Sequence, residues 1–149
     1  FNRLKLALKI VGRGQDEAYC RSIAGPKIEF LGELENDELV RLYRQARAFV
    51  FPGEDDFGIT PLEAQACATP VIAYAGGGAL ETVTEQTGIF FQQQTEEGLG
   101  RAVEEMETRH SGFKLEDFRK HTSCFSRKRY REEMETAIYE GYLRWREES

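Results

Sequence analysis

Apolar positions along this chain follow two rhythms. In five short segments they crowd or alternate. KLALKIVG (Lys5 to Gly12) alternates through Leu4, Leu6, Leu8 and Ile10, while KIEFLG, AFVFPG, TPVIAYAG and GIFFQ are compact runs rich in β-branched and aromatic residues, each closed by Gly or a polar residue. Runs that are apolar on both faces suit a parallel sheet covered by helices on each side.

Between them the spacing lengthens to that of a helix. NDELVRLYRQA places Leu39, Leu42, Tyr43 and Ala46 on one face, with Asn36 as the expected N-cap. TPLEAQACA predicts a helix capped by Thr60, with Pro61 in its first position and Glu63 completing a capping box. GALETV and EEGLGRAVEEME supply two more, and Thr108 to Lys114 reads as a polar loop. From Ser126 a long helix, 126–147, carries Tyr130, Met134, Ile138, Tyr142 and Trp145, a stripe expected to serve packing. Strands alternating with helices predict an α/β fold. The sheet is a doubly wound, Rossmann-like parallel one, with five strands and helices on both faces, in a single domain over 1–149.

Composition narrows the function. The chain has 149 residues, 40% of them hydrophobic, and a net charge of −6. That is enough for one core, and the acidic balance argues against nucleic acid as a partner, because phosphate polymers select basic surfaces. The one basic cluster, SRKRYR from Ser126 to Arg131, is followed at once by EEME and reads as a solvated helix face. No apolar run is long enough to span a bilayer and no secretory pattern opens the chain. Cys20, Cys67 and Cys124 form no C-x-x-C pair, and His110 and His121 lack ligand spacing to any of them. Reduced thiols in a cytoplasmic protein, without a metal, are the expectation.

In doubly wound folds ligands sit at the carboxyl ends of strands. The loops there are GRGQDE, GELEN, PGEDDFG and AGGGAL. Gly12 and Gly14 let a backbone approach a ligand, although turn geometry explains them equally well. In the third loop Phe57, Gly58 and Ile59 lead into the helix start, whose free N–H groups favour an anion by roughly 0.3–1 kcal/mol. Glu54, Asp55 and Asp56 just upstream would repel a phosphate but accept hydrogen bonds from hydroxyls. A ligand with both phosphates and hydroxyls satisfies the whole loop. Glu63 is either the helix cap or a hydroxyl acceptor. Gly76, Gly77 and Gly78 either wrap a phosphate or form a flexible connection.

VGRG, then FLGELENDELVRLYRQARAFVFP, then EDDFGITPLEAQACATPVIAYAGGGALETV resembles, in that order, the group 1 (family 4) retaining glycosyltransferases. The resemblance is to their carboxyl-terminal, nucleotide-sugar-binding domain of the GT-B fold and runs from about Leu6 to Phe91, with FSRKRYREEMETAIYEGYLRW like that family's closing helix. The family carries two glutamates with seven residues between them around a Phe-Gly. Here the second is Glu63 and the first position holds Asp55, one methylene shorter. The resemblance implies a catalytic pair, with Glu63 on the ribose hydroxyls and Asp55, or Glu54, on the donor hexose. It places the backbone of Phe57, Gly58, Ile59 and Thr60 against the hexose and diphosphate, Gly12 and Gly14 beside the donor, and Ile28, Phe30 and Leu31 at the base.

The implied reaction transfers a hexose from a nucleotide diphosphate sugar with retained anomeric configuration and no metal or cofactor. EDDFGI looks like the mannosyltransferase members, which favours GDP-mannose as donor over UDP-sugars. Family members also have an amino-terminal acceptor domain, an Arg and a Lys just before VGRG, and a first strand central to a sheet of order 3-2-1-4-5-6. None is found in these residues, so the chain is expected to be a fragment without activity alone, its first strand absent, unless Lys5–Gly12 pairs directly with Ala48–Phe51. A lipid-linked acceptor would place the intact enzyme peripherally at the inner membrane face. The alternatives are a GT-B sugar-nucleotide epimerase sharing this domain, and a nonenzymatic nucleotide-sugar-binding or regulatory domain.

Overall fold

The computed structural model describes residues Phe1 to Glu148. All five expected strands form: β1 (Leu8–Val11), β2 (Ile28–Gly32), β3 (Phe49–Phe51), β4 (Val71–Tyr74) and β5 (Gly88–Phe91). The helices are α1 (Glu17–Ile23), α2 (Asn36–Gln45), α3 (Ile59–Ala66), α4 (Ala79–Thr82), α5 (Glu96–Arg109), α6 (Leu115–Ser123) and α7 (Arg127–Glu148), with a 3-10 turn at His110–Gly112.

Every strand pairing is parallel, but the strands form two sheets, β1-β2 and β3-β4-β5. The direct pairing of Lys5–Gly12 with Ala48–Phe51 does not occur. The break between β1 and β3 falls where a 3-2-1-4-5-6 order has its first strand. Leu4 and Leu6, expected to continue β1, instead pack with Phe1 against the second sheet.

The core belongs to that second sheet, because β4 is sandwiched. Val71 and Ala73 point to one face, where Tyr43, Ala64, Ala79 and Val83 close over them. Ile72 points to the other, against Ile89, Phe91, Ala102, Val103 and Met106. The alternation of a strand thus sends one run, VIAY, into two cores. No residue of β1, β2 or α1 is fully buried.

Two helix starts differ from expectation. Glu35, not Asn36, caps α2, in a reciprocal capping box with Glu38. Gly58 in left-handed geometry (φ 80°) begins α3, so Thr60 lies inside the first turn and the Thr60–Glu63 capping box does not form. A third correction concerns α7. Tyr130, Met134, Ile138, Tyr142 and Trp145 are 41–65% exposed, so the stripe is not packed into this chain's core.

Tyr43 links the core to pH. Burial first, then the nearby Glu63 carboxylate and Cys67, push its phenol from 10.0 to about 12. The folded state keeps this proton where the unfolded chain has lost it. The stabilisation is therefore whole below pH ~10 and is lost as pH rises through about 12. A shift of that size corresponds to roughly 2–3 kcal/mol. Urea melts of Tyr43→Phe are expected to lack this component of the alkaline fall; a decline equal to the wild type's would refute it.

Candidate functional site

After β3 the chain crosses Pro52 and Gly53, runs through Glu54, Asp55, Asp56 and Phe57, and turns at Gly58 into α3. What holds this exposed loop in place is the glycine loop that follows β4. The Gly78 N–H donates to the Asp55 carbonyl at 2.8 Å. A Cβ on Gly78 would overlap the Phe57 backbone, and one on Gly77 would lie 2.5 Å from the Asp55 carbonyl oxygen. Gly77 and Gly78 are therefore small so that two loop backbones can touch. From the other side Gln94 Nε2 donates to the Pro52 carbonyl at 3.0 Å.

The clamped loop presents two kinds of group. The N–H groups of Ile59 and Thr60 meet no acceptor among the described residues, and Pro61 has no N–H to present. They form the positive end of α3. Glu54, Asp55, Asp56 and Glu63 are all exposed, and none has a cationic partner among the described residues. Asp55 Oδ1 accepts from the Asp56 N–H at 2.8 Å, an internal bond that stiffens the acidic turn. Because α3 starts at Gly58, Glu63 lies beyond its first turn and has no capping duty. Its carboxylate is free to accept from a hydroxyl. The apolar side chains of Phe57, Ile59 and Leu80 stay 43–63% exposed nearby in sequence and fold.

The other expected site residues gather elsewhere. Gly12 (φ 97°) closes β1 by donating to the Gly32 carbonyl at 2.6 Å, and both Gly12 and Gly14 face open space. Leu31 lies beside them at the carboxyl end of β2. The Phe30 ring lies 4.5 Å beneath the Arg21 guanidinium. Ile28 is the first residue of β2, paired with Leu8 at the opposite end from Gly12. No hydrogen bond or ion pair joins this pair of strands to Gly53–Thr60 among the described residues. The Gly53–Gly58 loop and the glycine loop thus form one continuous constellation, with the β1 and β2 ends as a separate group.

Sequence reasoning missed Thr82, His121 and Phe125, which support the loop from behind. The Thr82 hydroxyl donates to the Gly78 carbonyl at 2.9 Å, and the Thr82 carbonyl accepts from Gln65 Nε2 and from His121 Nε2. Phe125 packs edge-on against both His121 and Phe57. Pairings of such long sequence separation leave no local signal.

Comparison with known proteins adds to this geometry. The family described as glycosyl transferases, group 1, matches residues 2–108. A GDP-mannose-dependent monoacylated alpha-(1-6)-phosphatidylinositol monomannoside mannosyltransferase from Corynebacterium glutamicum is 40% identical over 93 residues, covering 55% of this chain and 24% of that protein. A D-inositol 3-phosphate glycosyltransferase from Salinispora arenicola is 43% identical over 60 residues, covering 40% of this chain and 13% of that protein. This chain therefore spans a quarter or less of these two relatives. Among solved structures, sucrose-phosphate synthase from Thermosynechococcus elongatus superposes with a TM-score of 0.78 at 24% identity, over 91% of this chain and 38% of that one. The pneumococcal O-GlcNAc transferase in complex with UDP and GlcNAc gives 0.70 at 19% identity, over 93% and 30%. At such identities the likeness is one of fold, the Rossmann-like GT-B domain.

Proposed function

This chain belongs to the group 1 glycosyl transferases, and from that premise we propose that it is the donor-binding part of a retaining hexosyltransferase that takes a nucleotide diphosphate sugar. The observation that carries the reading is the combination, across the clamped loop and the start of α3, of free N–H groups at Ile59 and Thr60 with the carboxylates of Asp55 and Glu63, which have no cationic partner among the described residues. The N–H groups suit a diphosphate; the carboxylates suit hydroxyls of ribose and hexose. Asp55 stands where the family has glutamate, and Glu54 beside it is the longer alternative.

During transfer the bond from the anomeric carbon to the diphosphate oxygen breaks. A bond to an acceptor hydroxyl oxygen forms on the same face, the hydroxyl proton passes to the leaving diphosphate oxygen, and negative charge builds on that diphosphate. Donors fixed in advance at the start of α3 stabilise that charge without reorganising. GDP-mannose is the favoured donor, supported by the EDDFGI loop and by the name of the Corynebacterium relative. Transfer itself requires an acceptor surface beyond these residues, and the relatives' greater length is consistent with one.

Calorimetric titration of this chain with GDP-mannose, GDP, UDP and UDP-glucose tests the proposal. Saturable binding of the guanine ligands, about tenfold or more tighter than the uridine ones, is expected, with no sugar transfer by these residues alone. Turnover by the 149 residues, or preference for uridine ligands, would overturn the corresponding part.

A further inference from the structure

The acidic loop has two backbone anchors, at Gly78 and Gln94, and, among the described residues, one aromatic side-chain contact, which comes from far along the chain. Phe57 meets Phe125 edge to face, with ring centroids 6.1 Å apart and planes at 68°. Phe125 in turn meets His121 at 5.3 Å and 67°. His121 sits in α6, which packs on α3, and its Nε2 lies 2.9 Å from the Thr82 carbonyl, which can only accept. Nε2 therefore carries the proton. Thr82 completes a ring of contacts, because its hydroxyl donates to the carbonyl of Gly78, the same residue whose N–H holds Asp55.

We propose that His121 and Phe125 are positioning residues for the donor site: the imidazole fixes the Phe125 ring, and that ring fixes Phe57 and with it the turn at Gly58. The inference rests on the reading of this loop as the donor site. Three features favour positioning over ordinary packing. The loop from Gly53 to Phe57 contributes no buried side chain, so little else orients it. Phe57 directly precedes Gly58, whose left-handed geometry sets where the Ile59 and Thr60 N–H groups point. Phe125 lies in the short joint between α6 and α7, so its ring ties the direction of that joint to the loop.

Amide hydrogen exchange and calorimetry with GDP-mannose, on the same chain and its Phe125→Ala and Phe125→Tyr variants, test this. In Phe125→Ala the Gly78 amide is expected to exchange about three- to tenfold faster, with core amides of β4 unchanged and GDP-mannose affinity lowered by a similar factor. Phe125→Tyr, which keeps the ring, is expected to restore both. Unchanged Gly78 exchange in Phe125→Ala would overturn the proposal, as would a uniform acceleration of all amides, which marks general loosening. If the wild type binds no GDP-mannose, the donor-site reading fails for that ligand, and Gly78 exchange still decides whether the ring positions the loop.

Discussion

Replacing Glu63 by alanine is expected to weaken GDP-mannose binding by about 10- to 100-fold while leaving the melting temperature nearly unchanged. The size follows from hydrogen bonds to a charged acceptor, worth roughly 1.5–3 kcal/mol each. The unchanged stability follows from where α3 begins. Were Thr60 the N-cap, Glu63 would close a capping box, and its loss would cost on the order of 1 kcal/mol. With Gly58 as the first flanking residue, Glu63 is an exposed helical side chain without a hydrogen bond or ion pair among the described residues. Alanine there is a good helix former. A calorimetric titration paired with a thermal melt separates the two roles: full binding with a lower melting temperature would make Glu63 a cap.

Gly78→Ala is expected to be the most damaging single-methyl change at the site. Its Cβ would overlap the Phe57 backbone, and neither side can yield without breaking the bond from the Gly78 N–H to the Asp55 carbonyl. Overpacking of this kind costs on the order of 3 kcal/mol, and GDP-mannose binding should fall beyond detection. Gly100→Ala supplies the contrast. Gly100 lies within α5 with nothing near its missing Cβ, so the same methyl is expected to stabilise the chain by about 0.5–1 kcal/mol. Equal effects at the two positions in denaturant melts would mean that the clamp between the loops has no structural weight.

What the sequence made legible was governed by locality. All five strands were readable because each is a short apolar run between breakers, and VIAY was recognisable as buried on both faces. The order of strands was not readable. Whether KLALKIVG pairs with AFVFPG depends on backbone neighbours that local pattern does not name, and the chain forms two sheets with Leu4 and Leu6 turned onto the second core.

The start of α3 was misread by two residues because Thr-Pro is the stronger capping signal. The turn out of the acidic loop, however, needs left-handed backbone, which Gly58 adopts without strain and so becomes the first flanking residue. The same shift settles the ambiguity of Glu63 against capping. The glycine run Gly76 to Gly78 is visible as a candidate, yet the backbone of Asp55 and Phe57 that lies against Gly77 and Gly78 is a tertiary contact. The stripe on α7 was correctly periodic and wrongly assigned: periodicity marks an apolar face, and Tyr130 and Ile138, 64–65% exposed, show that such a face need not be covered within its own chain.

The most direct test of the donor site is an amide chemical-shift titration of the 15N-labelled chain with GDP-mannose. The largest shifts are expected at Phe57, Gly58, Ile59 and Thr60, with Gly12 and Leu31 moving in the same titration and the amides of α7 silent. Saturable shifts centred elsewhere, with Ile59 and Thr60 unmoved, would contradict it.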